Sequence, residues 1–333
     1  MATPVAQLDQ LIASTYDKLK SRVADNITKK QALLAALDSR AGVKEDGGLS
    51  IRLPIMYELN DTVKSYSGYD ILDTTPQGGL AYAEYTWKQF AGAVTISGEE
   101  ERKNAGGASV TNLVKFKFDQ LEKSISQKLT DWFWATSIGN GGKDLTSIPV
   151  IVDNTGTLGG IDSSTETWWK SKVVGVAGDF ASAPGVDLTG LAGVKKLNNI
   201  LNSLAVDGSK PTHEFTTQAN FEAYEALALN TLAYKDTKMA ELGFESINHK
   251  TAEVVFEPAV PTFTTGQATD GGSWYFINCD ELAFFKHSNA YMERTPFMRP
   301  VDQDAKTMQV VSMGNLATGS RRSHGLIRTA KVA

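Results

Sequence analysis

The sequence predicts an α+β protein with a few unusually long elements, on three observations. Apolar residues alternate from Leu49 to Leu59, one helical stripe runs from about Ser109 to Thr136, and from Asp187 onward short helices and extended runs succeed one another. The 333 residues are 41% hydrophobic and 21% charged, near ordinary globular values, which excludes a disordered chain, a collagen-like repeat or a coiled-coil rod. That length accommodates one large domain or two of about 150 residues.

From the N-terminus, Leu8, Ile12, Tyr16, Leu19, Val23 and Ile27 recur every three or four residues, predicting an amphipathic helix. Ala32, Leu33, Ala36 and Leu37 extend the stripe until Gly42 and Gly47-Gly48 stop it. Such a stripe packs either on its own domain or, as an arm, on a neighbouring subunit. Asp9, Asp17 and Asp25 interrupt the first thirty residues, which argues against a secretory signal. The apolar run Ala32 to Leu37 is far short of the roughly 18 residues a membrane span requires, so no membrane contact is expected.

The period then changes to two. Leu49, Ile51, Leu53, Ile55, Tyr57 and Leu59 alternate with mostly polar residues, predicting a strand with one apolar face, and Pro54 places it at an edge or a bulge. A second extended segment from about Tyr82 to Ile96 completes a long hairpin. The connection Asp61 to Leu80 holds Gly68, Pro76, Gly78 and Gly79 with Tyr66 and Tyr69; so long a loop serves binding or is disordered.

Ser97 followed by Glu100 matches a capping box, with Glu99, Glu100 and Glu101 where a helix N-terminus favours negative charge. The sharper reading, a three-Glu metal site, lacks a nearby His. Next come Val114, Phe118, Leu121, Ile125, Leu129 and Trp132, the core stripe of a helix roughly 40 Å long. Gly139, Gly141 and Gly142 before Lys143 miss the phosphate-loop spacing and read as a helix stop and turn. Leu191, Val194, Leu197, Leu201 and Leu204 mark a further helix, and Phe221, Tyr224 and Leu227 another; extended runs lie at 213–216, 254–256, 274–277 and 306–313.

Catalytic constellations are not evident. The four histidines, His213, His249, His287 and His324, sit in no recognisable nucleophile or metal motif, and no cofactor fingerprint is present, so the expectation is a protein that is not an enzyme and carries no cofactor. A soluble α+β enzyme with a dispersed site is the rival. Cys279, the single cysteine, follows Trp274-Tyr275-Phe276-Ile277 and reads as a buried small residue; one cysteine excludes an intrachain disulfide. Arg321 and Arg322 on a strand point to opposite faces, one placed to pair with an acid of the same or a neighbouring chain. Net charge is −5, with sixteen acids against nine bases over 138–273 and eight bases against five acids over 274–333, unlike the basic stripe of a sequence-reading nucleic-acid binder.

Three stretches make the order familiar: 84–92 (Glu-Tyr-Thr-Trp-Lys-Gln-Phe-Ala-Gly) leading into Ile96-Ser97-Gly98-Glu99-Glu100; Trp274-Tyr275-Phe276-Ile277-Asn278; and Pro296-Phe297-Met298-Arg299-Pro300 through Gln303-Asp304-Ala305 to Gly314-Asn315-Leu316 and Ser320-Arg321-Arg322. Over nearly its whole length the chain resembles the major capsid proteins of tailed bacteriophages, the Hong Kong 97-type coat fold. The resemblance implies an N-terminal arm (1–48), an extended hairpin loop (49–97), a peripheral domain with a long spine helix (98–187, spine about 109–136, completed by strands in 274–312) and an axial domain (188–273, with 313–333 returning to it).

It also implies many copies assembling into pentamers and hexamers of an icosahedral shell around double-stranded DNA in a virion put together in the bacterial cytoplasm. A portal and, as an option, decoration proteins are expected partners, with DNA contact non-specific and an acidic wall keeping the packaged DNA from sticking. A hairpin starting near residue 49 leaves no room for a cleaved scaffolding segment, so a separate scaffolding protein is expected, or the short arm substitutes. Lys64, Tyr66, Tyr69, Trp87, Arg321 and Arg322 are the candidate subunit-interface residues. Lys64 and Lys88 are the only hairpin lysines, and no matching asparagine and acid can be placed, so covalent cross-linking is not expected. An encapsulin-like compartment holding an enzyme cargo is the alternative within the same fold.

Overall fold

A computed structural model of the chain describes residues 32–39, 44–45, 47–103, 113–174, 186–187, 191–205, 208–228, 246–262 and 271–331. The expected arm positions Leu8 to Ile27, and 109–112 of the expected spine, lie outside them. In chain order the first half forms α1 (Ala32–Ser39), β1 (Lys44–Glu45), β2 (Ile51–Met56), β3 (Leu80–Tyr85), β4 (Lys88–Ser97), α2 (Gly98–Lys103), α3 (Leu113–Phe133), α4 (Ile148–Ile151), β5 (Thr157–Leu158), β6 (Ile161–Asp162) and β7 (Lys172–Val174). The second half forms β8 (Val186–Asp187), α5 (Leu191–Ser203), β9 (His213–Thr216), α6 (Gln218–Ala228), β10 (Ser246–His249), β11 (Ala252–Phe256), β12 (Gly271–Ile277), β13 (Leu282–His287), β14 (Glu293–Arg294), β15 (Ala305–Thr318) and β16 (Gly325–Lys331).

Two sheets organise these elements. The first is built on β15, which pairs along one edge with β4 from Ala305↔Ser97 to Gly314↔Lys88, and along the other with β14 and β13; β1 extends β13 in parallel. The second runs β10-β11-β9-β12-β16-β7, with β8 also on β16. Its central strands are buried on both faces, which explains the unbroken apolar run Trp274 to Ile277 on β12, while β9 buries the polar His213, Glu214 and Thr216 beside Phe215. On β12, Tyr275 and Ile277 enter one apolar core while Trp274 and Phe276 enter another; Val255 and Val254 divide in the same way on β11, and Leu326 and Ile327 on β16. The second core is closed by Leu197, Ile200 and Leu201 of α5 and Phe221 and Tyr224 of α6.

Three expectations are corrected here. The extended segment 82–96 is not one strand of a hairpin: it breaks at Thr86-Trp87, and only β3 pairs with β2, while β4 crosses to β15. The Asn315 side chain donates to the Thr86 carbonyl at 2.9 Å and the Tyr85 hydroxyl to the Thr318 carbonyl at 2.9 Å, fixing the crossing point to β15. Second, β12 completes not the sheet of β13 and β15 but the one that carries α5 and α6. Third, Val114 of the spine stripe is 40% exposed, while Ile125, Leu129 and Phe133 are buried and Phe118, Leu121 and Trp132 half-buried against the core. At 21 residues α3 is roughly 32 Å long and outruns the sheet beneath it.

Other elements follow the sequence closely. The Ser97 hydroxyl accepts the Glu100 N–H and the Glu100 carboxylate accepts the Ser97 N–H, both at 3.1 Å, closing the capping box; Lys117 donates to the same carboxylate at 2.8 Å and so ties α3 to α2. Ala32, Leu33, Ala36 and Leu37 of α1 are buried in the first core, against β13 and its neighbours, so this part of the stripe packs on its own subunit.

The register at Gly314 leaves no room for a side chain. A Cβ there would stand 2.6 Å from the Phe285 carbonyl oxygen of the neighbouring strand, a backbone atom held by the ladder. Gly314→Val is therefore expected to destabilise the subunit by about 1–3 kcal/mol. At Gly319 an added Cβ meets only the Glu281 carboxylate at 3.5 Å, so Gly319→Ala should change little. Urea unfolding of the two variants beside wild type measures the difference.

Candidate assembly surface

The hairpin β2–β3 has two unlike faces. Ile51, Ile55, Ala83 and Tyr85 are buried in the first core, and the opposite face presents Pro54, Met56, Leu80 and Tyr82, with Arg52 and Glu84 paired across the strands at 3.3 Å. The Tyr57 N–H continues the ladder by donating to Gly79 O at 3.0 Å, so by antiparallel alternation positions 51, 53 and 55 bond towards β3 and the amide position of Pro54 faces outward. Proline thus sits on the open edge, where it withholds a donor from any strand that approaches.

The other edge is closed at its root. The Glu84 N–H donates to Gly159 O at 2.9 Å, and Gly159 adopts φ +61° where an added Cβ would lie 2.9 Å from that of Ala83. Tyr57 stacks on Trp168 at 5.2 Å between ring centroids. Beyond that stack, residues 58–79 are exposed, with only Thr62 and Gly79 partly covered. Their polar side chains are consumed locally: Asn60 accepts the Thr62 N–H at 2.8 Å and its hydroxyl at 2.6 Å, Asp70 accepts the Ser67 N–H at 2.9 Å, and Asp73 accepts the Thr75 hydroxyl at 2.6 Å. What the loop offers outward is apolar, with Val63, Tyr66, Ile71 and the fully exposed Tyr69. Lys64 is exposed beside them.

The other interface candidates divide. Trp87 is engaged within the subunit: its indole N–H donates to Gly48 O at 3.1 Å and its ring meets His287 edge-on at 5.7 Å. Lys88 donates to the Gly142 carbonyl. Arg321 is only 1% exposed and cannot contact a neighbour. It lies in a 3₁₀ turn, not a strand, and its guanidinium donates to the carbonyls of Ile151 (2.8 Å), Thr155 (2.9 Å), Val150 (3.2 Å) and Gly156 (3.4 Å). Arg322 points outward and is exposed.

Behind Arg321 lies His324, completely buried. Its Nδ1 accepts the Asn278 N–H at 3.2 Å, which leaves Nε2 to donate to the Thr318 hydroxyl at 3.1 Å. Burial, with the Arg321 charge adding to it, lowers the imidazole from 6.5 to about 3, so it is neutral at pH 7. A second buried cluster joins His249 to Glu214 at 2.8 Å and to Asn198 at 3.2 Å, while the Trp274 indole donates to the same carboxylate at 2.8 Å. It ties α5 to the sheet inside the second core. Among the described residues no group of three His, Cys, Asp or Glu side chains is disposed to hold a metal, and no helix is long and apolar enough to cross a membrane.

Sequence reading missed the outer face of the hairpin, because it took the residues between the alternating apolar positions as polar. Met56 and Pro54 were the signal. It also missed a second exposed apolar group, Phe297, Met298 and Val301, beside Phe116 and Val114 of α3 and joined to it by the Phe118–Phe297 edge contact at 6.2 Å.

Solved structures match this architecture end to end. The cyanophage A-1(L) capsid asymmetric unit superposes with a TM-score of 0.69 at 14% identity, covering 93% of this chain and 96% of that one. The chain has the Hong Kong 97-type fold of tailed-phage capsid proteins. The capsid of the native GTA particle matches at 0.56 and 11% identity over 94% and 96% of the two chains, and the holo-SrpI encapsulin complex from Synechococcus elongatus PCC 7942 at 0.56 and 9% over 99% and 97%. No family model and no curated protein sequence matches the chain.

Two measurements check the site within this capsid fold. Arg321→Met orphans buried carbonyls and is expected to cost about 3 kcal/mol or more in denaturant unfolding of the unassembled subunit, whereas Arg322→Ala should cost under about 0.5 kcal/mol. His324 has the opposite kind of readout, in pH. Its folded value lies below its unfolded 6.5, so the stability that depends on it is complete above pH 6.5 and is lost progressively as pH falls towards 3. Urea midpoints should decline over that range in wild type, and His324→Gln should flatten the decline.

Proposed function

We propose that the chain is a major capsid protein, a structural rather than catalytic protein whose copies form the pentamers and hexamers of an icosahedral shell around double-stranded phage DNA. One observation carries the reading: in a fold shared with phage capsids, the hairpin face of Pro54, Met56, Leu80 and Tyr82 and the loop 58–79 expose apolar side chains that no described part of the same subunit covers. Monomeric soluble proteins rarely leave such patches open. Docked on neighbouring copies they contribute to interfaces that, summed over several neighbours, exceed roughly 2,000 Å² as obligate assemblies do.

In this reading the arm is 1–48 and the hairpin loop 49–97, with its working part in 49–85. The peripheral domain is 98–187 with the sheet of β13 and β15, and the axial domain is 188–273 with β12 and 313–333. Lys64, Tyr66, Tyr69 and Arg322 remain the interface residues. A separate scaffolding protein, a portal and decoration proteins act with it, assembly takes place in the bacterial cytoplasm, and the packaged DNA touches the acidic wall non-specifically.

An encapsulin-like compartment is the second reading, favoured by the encapsulin match over 99% of the chain. Purified particles decide between the two: nuclease-resistant double-stranded DNA inside them supports the phage shell, and a protein cargo without DNA supports the compartment.

Replacing residues 62–79 by a short Gly/Ser turn tests the shell reading itself. The loop adds few core contacts, so the circular dichroism melt should stay near that of wild type, while sedimentation and negative-stain images should show loss of closed shells or fragile ones. Even about 1–2 kcal/mol lost per subunit accumulates around a closed shell. Equally robust shells from the variant would remove the loop from the interface.

A further inference from the structure

The start of α1 is tied to a carboxylate 225 positions further along the chain. Glu257, immediately after β11, is 1% exposed, and its Oε2 accepts the N–H groups of Ala32 at 2.7 Å and Leu33 at 3.3 Å, the first two amides of α1. These amides have no partner inside the helix and point along its positive end. Among the described residues Oε1 of the same carboxyl closes no hydrogen bond, and the Ala259 amide acts on the group without bonding that oxygen. A proton carried on Oε1 therefore leaves both bonds at Oε2 intact, while an ionised carboxylate keeps one bare oxygen buried.

We propose that Glu257 is a proton-operated latch on α1: protonated, it holds the helix in its seat on the first core, and ionised, it raises the fraction of molecules in which the helix is released. The inference stands on the chain's own geometry and does not depend on the shell reading.

The surroundings favour the neutral form. The face of α1 that enters the core is Ala32, Leu33, Ala36 and Leu37, the turn after the carboxylate is Pro258-Ala259-Val260, and the Glu257 N–H donates to Thr216 O at 3.1 Å on β9. The titratable groups on the same face of the strands around it are Glu253 on β11, His213 on β9 and Tyr275 on β12. Glu253 lies four residues back, about 13 Å along the strand. Burial pushes the Glu257 carboxyl from 4.5 up to about 7 against the opposing pull of the Leu33, Ala32 and Ala259 amides, with no charge–charge contribution from a described neighbour. With the folded value above the unfolded one, the stabilisation is complete below about pH 4.5 and is lost as pH rises through about 7. The shift sets the ceiling on the effect, on the order of 10²-fold in the opening equilibrium.

Hydrogen exchange of the full-length chain, corrected for intrinsic rates and followed from pH 5 to pH 9, reads this opening directly. Protection of the α1 amides should fall on the order of 10²-fold with a midpoint near 7, while protection in α3 stays level, and Glu257→Gln should show no such step. Wild-type α1 protection that is flat or rises with pH overturns the proposal, as does a fall shared equally by α3. The wild-type titration decides alone if Glu257→Gln does not fold.

Discussion

The ladder between β4 and β15 is the constraint on which the rest of the architecture hangs. It joins residues 88–97 to 305–314, more than 200 positions apart, so its closure organises most of the chain between them. Because β15 is 14 residues long, it carries β4 on one edge while β14 and β13 share the other, and it runs on through the Arg321 turn into β16 of the second sheet. One continuous stretch therefore sets the relation of both sheets. Such non-local pairing costs loop-closure entropy before it is rewarded, which puts this topology among slow folders.

The turn between β15 and β16 has to be rigid for that relation to hold. A guanidinium serves because its planar fork reaches several carbonyls at once, and here it gathers four from the segment 150–156. Among the described residues no carboxylate is hydrogen-bonded to the charge. Carbonyl dipoles hold it instead, with the Asp153 charge acting through space, and burial, reinforced by the Arg321 charge, keeps His324 behind it neutral. Rigidity here also fixes the root of the hairpin, since Tyr85 is bonded to the end of β15 and Glu84 to Gly159 in the loop that follows the clamped carbonyls. The open loop is thus mounted on the stiffest part of the subunit, the arrangement a contact surface needs if its geometry is to be the same in every copy.

Local signals were legible in the sequence and non-local choices were not. The capping box at Ser97 and Glu100 and the helices α5 and α6 follow from spacing within a few residues and formed as spaced, whereas of the alternation from Leu49 to Leu59 only 51–56 is strand and Leu49, Tyr57 and Leu59 lie exposed beyond it. The break at Thr86-Trp87 had no local mark, because β3 and β4 are both good strands and only their partners separate them, β2 just upstream for β3 and β15 far down the chain for β4. Trp274 to Ile277 announced burial but not that its two faces belong to different cores. The two arginines show the same limit: position 321 is buried and 322 exposed for reasons that lie in the carbonyls of 150–156. Val114 kept the helical period and still lies outside, since periodicity says which face is apolar and nothing about where the supporting sheet ends.

Buried ionisable groups outside the clamp give the subunit an asymmetric response to pH. His324 is held neutral by burial and so draws stability away as acid is added below 6.5, whereas Glu257 is held neutral by burial and so adds stability as acid is added below about 7. The signs are opposite because the neutral form is the deprotonated one for the imidazole and the protonated one for the carboxyl. Between about pH 4.5 and 6.5 the two partly offset each other in global stability. They do not offset each other locally, for His324 sits where β15 turns into β16 and Glu257 sits under α1. Above 6.5 the imidazole contributes nothing further, so of these two groups only Glu257, under α1, answers an alkaline shift.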